Sequence, residues 1–503
     1  MYLRETKRRN ADGSVVSYLA LAQNERDAQT GVPRAQIVHR FGRTDAVDRQ
    51  ALARLVGSIS RFLDPADAVA AASAGDGQVS VLDSRSMGAC WLADRLWERL
   101  GIAETIIAAA GARRLDAAAV ERTIFSMVAN RLSVKPLSKL AGCGWVADRA
   151  FVQGLPEVGD EQCYRAMDFL HATLPALQER VFFNVATLLD LEVDMLFFDT
   201  SSTYWQTDSL PGELQDDDDR EDGDGGEGVL VERGQRAYSK HSKDHRPDLP
   251  QVVIGMAVTR TGIPVRVWTF PGNASDQAII RKVKDDLRGW NLSRVIWVLD
   301  RGFTSAENRR YLQRAGGHYI VGEKLRSGSK EAALATKPAY GRLLRKTKTA
   351  KLRIDRAAVT KEAGLDGKFL LRTSDESLSA TDIALGYKAL YEAERGWRDM
   401  KSTIDLRPVH HRREDRIEAH VQLCWLALLL LRVAETETQD TWRNIRNELD
   451  RMHLVTLATS AGTVAQRTEL THRQRQILKA LGLPEPARFY DFTPLADRQD
   501  PAK

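Results

Sequence analysis

The apolar positions begin with a strand-like pattern. VVSYLALAQ and AQIVHRFG, set apart by Gly, Pro and Asn, predict strands within residues 1 to about 45. From Asp48 the period becomes helical. ALARLVGSISRFL is followed, past a glycine-containing break at 74–77, by CWLADRLWERLGIAETII and AAAVERTIFSMVANRLS. In the last of these, Val120, Ile124, Met127 and Val128 share one helical face. Asp160 is a candidate N-cap for the helix DEQCYRAMDFLHATL. Short amphipathic helices with outward Arg fit a helix-turn-helix and an ordinary bundle equally well.

At Val193 the pattern changes again. VDMLFFDTSSTYW is a nearly continuous apolar run ending in a carboxylate and hydroxyls, as expected of a buried central strand. VVIGMAVTRTG and IPVRVWTFPG, joined by Thr-Gly, predict a hairpin. A helix over Asp276–Leu287 comes next, then the strand SRVIWVLDRGF, the helix SAENRRYLQRAG and the strand HYIVGEKL. Helices resume at Asp382 and run to about Ala434. Residues 436–503 read as a helical tail ending in loop.

Length and composition place the chain among ordinary globular proteins. It has 503 residues, 43% of them hydrophobic and 28% charged, enough for about three domains. The 73 basic and 68 acidic residues leave a net charge of +5, which excludes a basic tail protein and an acidic disordered one. Cys90, Cys143, Cys163 and Cys424 lack zinc-site spacing, so a reduced, cytoplasmic setting is expected. The N-terminus MYLRETKRRNADG has no apolar core of a secretory signal. The longest apolar run, Val421–Leu431, is well short of the ~20 residues that span a bilayer and reads as a buried helix.

Local charge is far from balanced. Residues 216–227 carry eight Asp or Glu against Arg220 and read as a solvated loop rather than a metal trap. Residues 324–361 carry twelve Lys or Arg against Glu331 and Asp355, a balance of +10. That density favours contact with a polyanion over a merely solvated surface.

Asp199 and Asp300 each follow an apolar strand. Neighbouring carboxylates resist ionising together unless a cation joins them, and hard divalent ions are the usual solution. Either Asp could equally end a strand or cap a helix. In LGYKALYEAERGWRDMKS, Tyr387, Glu394 and Lys401 recur every seven residues and so share one helical stripe, with Arg398 beside it. The stripe suits either a solvated ion-paired face or a metal and phosphate site.

These residues resemble the D-D-E triad of bacterial insertion-sequence transposases. The resemblance is to the superfamily named after insertion sequence four, whose ribonuclease-H-like core is interrupted by a strand-rich insertion. That group carries Tyr-x2-Arg-x3-Glu-x6-Lys, matched here by Tyr387, Glu394 and Lys401, with Leu390 in the Arg position. SKHSKDHRPDLPQVVIGMAV, PGNASDQ, the RGF after Asp300 and DLRPVHHRREDRIEAHVQLCWLALLL also resemble it, over about 190–435.

The resemblance implies an α/β fold: a ribonuclease-H-like core with a β-rich insertion, preceded by a strand-rich segment and a mainly helical region. The expected divisions are 1–45, strand-rich; 46–190, helical and DNA-recognising; 191–323, first part of the core; 324–380, basic insertion; 381–435, second part of the core; and 436–503, tail. It implies a metal-dependent enzyme that cleaves and transfers DNA strands. Asp199 would bridge two Mg²⁺ ions (or Mn²⁺), Asp300 holding one and Glu394 the other. Tyr387 and Lys401 would hold a phosphate, with Arg398, Lys243, Arg246 and Arg301 as further DNA contacts. The partners are the terminal inverted repeats of the element and target DNA, bound by a homodimer, with no membrane.

Trp205, Trp268 and Trp397 could stack an unpaired base but read more readily as core. His241, His245, His410 and His411 form no zinc set. Rival readings are a ribonuclease-H-like nuclease that cuts without joining, a catalytically inactive DNA-binding relic, and a hydrolase of small substrates. The last leaves the +10 stretch without a use.

Overall fold

The computed structural model describes residues 2–10, 14–26, 33–60, 80–155, 158–205, 236–238, 243–244, 246–290, 295–323, 344–346, 352–364, 368–411, 413–459 and 462–494. The acidic run 216–227 and most of the basic run 324–361 lie outside them. The chain forms two compact units. One comprises 1–84, 454–469 and 487–503; the other comprises 85–453 and 470–486.

The first unit opens with β1 (Tyr2–Arg9), β2 (Val15–Arg26) and β3 (Pro33–Arg43), an antiparallel sheet in that order. The strand β1 adds to the two expected from the pattern. It is followed by α1 (Arg49–Ser60), as predicted, and β4 (Ser80–Ser86), which was not.

The second unit begins with helices α2 (Gly88–Arg99), α3 (Ile102–Gly111), α4 (Ala117–Leu132) and α5 (Asp160–Leu188), with two single-turn helices before α5. Between α2 and α3, Gly101 takes φ +66°, a conformation cheap only for glycine. It splits what the sequence presents as one apolar helical run. The cap of α5 is Gly159 rather than Asp160, its amide donating to Gln162 Oε1 at 2.9 Å.

The strands of this unit are β5 (Met195–Tyr204), β6 (Gln251–Val258) and β7 (Pro264–Pro271), then β8 (Ile296–Leu299) and β9 (His318–Glu323). Helix α6 (Asp276–Leu287) links β7 to β8, and α7 (Ala306–Gln313) links β8 to β9. Beyond a short hairpin, β10 (Leu344–Lys346) with β11 (Leu352–Ile354), come α8 (Arg356–Ala363) and β12 (Leu370–Thr373). The sheet order is β12-β9-β8-β5-β6-β7. The first three strands in sequence are antiparallel; β8 and β9 then add parallel to β5. This is the predicted ribonuclease-H-like α/β order. β12 belongs to the core sheet, so the expected insertion 324–380 ends before it.

Strand alternation divides the sheet into two faces. Leu196, Phe198, Val253, Ala257, Trp297, Leu299 and Val321 pack with Ile279, Ile280 and Val283 of α6 and Phe182 of α5. The other face meets α9 (Ala380–Lys388) and α10 (Tyr391–Ser402). A Cβ on Gly386 would lie 3.2 Å from Met195 Sδ and 3.3 Å from Ile320 Cδ1, and one on Gly396 only 2.5 Å from Met256 Cε. Small residues let both helices lie close on the sheet. Helix α11 (Glu414–Thr438) contains the apolar run 421–431. By length and composition it could cross a membrane, but 94% of its apolar window is buried inside the protein.

The last segment corrects the expectation of a helical tail. After α12 (Trp442–Leu449), β13 (His453–Thr459) and β14 (Gly462–Arg467) form a hairpin, followed by α13 (His472–Ala480) and β15 (Phe489–Pro494). The strands assemble as β15-β14-β13-β4. Segments 454–469 and 487–494 thus complete the first unit, a long-range pairing that no local pattern announces.

Candidate active site

Asp199 lies inside β5, which runs five residues past it to Tyr204. The parallel partner β8 stops sooner: Phe198 pairs with Leu299, and Asp300 is the next residue. The two carboxylates therefore follow the last paired residues of adjacent parallel strands. Alternation puts Asp199 on the face carrying α9 and α10. Burial pushes its carboxyl up to about 6, and the charges of Asp276 and Asp300 act in the same direction. Lys243 and the Thr200 amide oppose them.

Asp300 is half exposed, with Arg301 Nε 3.9 Å away. The Tyr387 hydroxyl of α9 donates to its Oδ1 at 3.1 Å. Burial and the charge of Asp300 push that phenol up to about 12, so it stays protonated and remains a donor. The hydroxyl lies over Gly322 of β9, where a Cβ would stand 2.5 Å from it.

A second set of residues lies behind Asp199. The Thr200 hydroxyl donates to Asp276 Oδ1 at 2.6 Å. Lys243 Nζ donates to the Thr200 carbonyl at 2.8 Å and to its hydroxyl, and stands 3.5 Å from Asp276. A Cβ on Gly302 would be 2.8 Å from Asp276 Oδ2, so Asp276 also abuts the turn after Asp300. The sequence reading missed Asp276, Thr200 and Gly322. PGNASDQ was noted as a segment, but no periodicity singles out its Asp.

Glu394 sits on the exposed side of α10. The seven-residue stripe is not one continuous helix: α9 ends at Lys388 and α10 starts at Tyr391. Its members go to different partners. Tyr387 reaches Asp300, whereas Lys401 Nζ donates to Asp244 Oδ1 at 2.7 Å. Lys401 is 15% exposed and Asp244 2%, and Arg407 joins the same carboxylate. Arg246 forms an ion pair with Asp248 at 2.8 Å and lies over Tyr204. Leu390 is buried. Arg395 is engaged by Glu392 and Glu435, whereas Arg398 is exposed and its guanidinium donates to the Tyr391 hydroxyl at 3.3 Å.

Residues 226–430 match the family described as Transposase DDE domain. Residues 3–71 match the N-terminal domain of IS1634 family transposases. The chain is an insertion-sequence DDE transposase. It is accordingly a DNA-binding enzyme that cleaves and transfers DNA strands. The first match begins past Asp199 and takes in Asp300 and Glu394. Among solved structures the transposase is similar to the piggyBac transposase synaptic complex with hairpin DNA. TM-score is 0.35 and identity 11%, over 72% of this chain and 79% of that one. No curated protein matches.

Enzymes of this class use divalent metal ions. Asp199 and Asp300 follow paired residues of adjacent parallel strands, and a cation between neighbouring carboxylates favours their charged forms. Among the described residues, no three His, Cys, Asp or Glu side chains stand close enough to enclose a metal. Glu394, on the exposed side of α10, is not drawn into such a set. Trp205, Trp268 and Trp397 are all buried. Two of them are held by hydrogen bonds, Trp205 to the His411 carbonyl at 2.9 Å and Trp268 to Asp286 at 3.0 Å, so core is their role. His241 and His245 lie outside the described residues. None of the four cysteines forms a disulfide.

Proposed function

We propose that this transposase binds the terminal inverted repeats of its element as a homodimer and uses Asp199, Asp300 and Glu394 as its D-D-E triad. The observation that carries the reading is the placement of Asp199 and Asp300 just past the last paired residues of β5 and β8. Tyr387 holds the second, and the Glu394 helix covers the same sheet face.

The three carboxylates would hold Mg²⁺ or Mn²⁺, two ions in the full site. When bound, the metal makes a nucleophile from water or a 3′-hydroxyl and carries charge on the leaving oxygen. The protein's own groups do the rest. Desolvation makes the Asp199 charge costly, so a bound cation would stabilise it. The Tyr387 donor fixes one oxygen of Asp300 and leaves the other for the metal. Lys243, Arg301 and Arg398 would meet phosphates, Lys243 and Arg301 by exchanging their present contacts with Asp276 and Asp300, while Lys401 is buried against Asp244 and Arg246 is paired with Asp248. Lys401 then acts through Asp244, fixing the segment that carries Lys243.

Asp199→Asn, Asp300→Asn and Glu394→Gln should each abolish strand cleavage while leaving binding of terminal DNA within about threefold. Near-native cleavage by any one of them would remove that residue from the site. Cutting without joining to target DNA would favour the nuclease reading.

A further inference from the structure

The N-terminal sheet has two unlike faces. Its register places Arg4, Ala20 and Arg40 in one row across the three strands, with Thr6, Tyr18 and Arg43 in the next. Alternation carries Arg8 of β1 and Arg26 of β2 to the same side. This face gathers five arginines and no carboxylate from the strands. The opposite face mixes Lys7, Arg9 and Arg34 with Glu5 and Glu25, and Glu25 stands directly across from Arg34.

Most of the arginine charge is uncommitted. Arg43 is paired with Asp45 at 2.7 Å. Arg4, Arg8, Arg26 and Arg40 are exposed, and no ion pair to them is present among the described residues. The central strand contributes Ala20 and Ala22, both buried. Between Arg4 and Arg40, which lie two strand spacings or about 10 Å apart, only a methyl group intervenes. The face is thus basic on both of its outer strands. A row of like charges with no internal counter-ion costs self-repulsion, and a polyanion relieves it.

We propose that this face of the β1-β2-β3 sheet binds duplex DNA by its phosphate backbone, with Arg4 and Arg40 as contacts on its two outer strands. Strands can serve as DNA-reading elements as helices do. DNA contact would then fall on the strands of residues 1–45 and not on helices alone. It rests on the chain's being a DNA-end-binding transposase, not on the identity of its triad.

The test is equilibrium binding of a fluorescent terminal-repeat duplex by the full chain at several salt concentrations. Each phosphate contact contributes about 0.9 to the slope of log K against log salt. Arg4→Ala/Arg40→Ala should lower the slope by about 1.8 and weaken binding by about tenfold or more. Lys7→Ala/Arg9→Ala, which removes the same charge from the other face, should bind within about threefold of native. Arg4→Lys/Arg40→Lys keeps the charge and should keep the slope, which separates DNA contact from misfolding. A native slope in the Arg-to-Ala pair, or equal losses from the two faces, would overturn the proposal. So would a change in sedimentation with DNA binding unaltered, which would mark the face as a contact between copies. Carrying all variants in a Glu394→Gln background keeps the readings apart: an error in the triad appears as DNA cutting, an error here as unchanged binding.

Discussion

The Tyr387 hydroxyl donates a hydrogen bond of 3.1 Å to Asp300 Oδ1, across 87 residues of chain. This contact ties α9 to the end of β8. With burial, it keeps the phenol protonated, so the donor is present at any working pH.

Tyr387→Phe removes only that donor. A hydrogen bond to a charged group is worth about 1.5–3 kcal/mol, so cleavage should fall by roughly ten- to a hundredfold while DNA binding stays native. Single-turnover cleavage and a binding titration check both. Weakened binding with unchanged cleavage at saturation would instead make Tyr387 a DNA contact.

Gly322→Ala should act through the same bond. The new methyl would stand 2.5 Å from the Tyr387 hydroxyl and push it off Asp300. Residues sharing one interaction are non-additive. The double variant Gly322→Ala/Tyr387→Phe should therefore cleave about as slowly as Tyr387→Phe alone. Multiplying losses would show that Gly322 serves something else.

Asp199 predicts a stability trade-off with a definite sign. Its carboxyl rises from the ordinary value near 3.9 to about 6 in the fold. The folded state thus holds the proton more tightly, and stability falls as pH rises between those values, the full penalty applying above 6. Asp199→Asn should therefore stabilise the metal-free protein at pH 7.5 by ~1–3 kcal/mol, with a smaller gain near pH 4.5. Urea unfolding in EDTA measures this. Added Mn²⁺ should stabilise the native chain more than the variant, because metal binds only the folded site. A variant less stable than native in EDTA would contradict the account.

Asp244→Ala leaves Lys401 and Arg407 without their shared carboxylate. Breaking a buried pair by removing one partner costs about 3–5 kcal/mol, read as a lower urea midpoint. An unchanged midpoint would return Lys401 to the phosphate-binding role read from its spacing.

Much of the fold was legible because local pattern and tertiary role coincide. The apolar runs around Asp199 and Asp300 are buried strands, Asp276–Leu287 is a helix over those residues, and the run Val421–Leu431 is a core helix. The placement of Asp199 in β5 and of Asp300 just after β8 follows from the same elements. What stayed hidden depends on contacts distant in sequence. Spacing alone cannot show that Lys401 is neutralised by Asp244, or that Tyr387 turns to Asp300 while the helix breaks before Tyr391. The terminal strands β13–β15 are short, mixed in polarity and completed by β4, more than 360 residues earlier by the numbering. Asp276 gained its significance only when Thr200 and Gly302 were brought against it.

The most direct test of the central claim is cleavage of labelled terminal DNA by native protein and Glu394→Gln, with Mg²⁺ and with EDTA. The account predicts metal-dependent release of 3′-hydroxyl ends that join to a target by the native protein alone, with both proteins binding the DNA. Cleavage by Glu394→Gln at the native rate would contradict it.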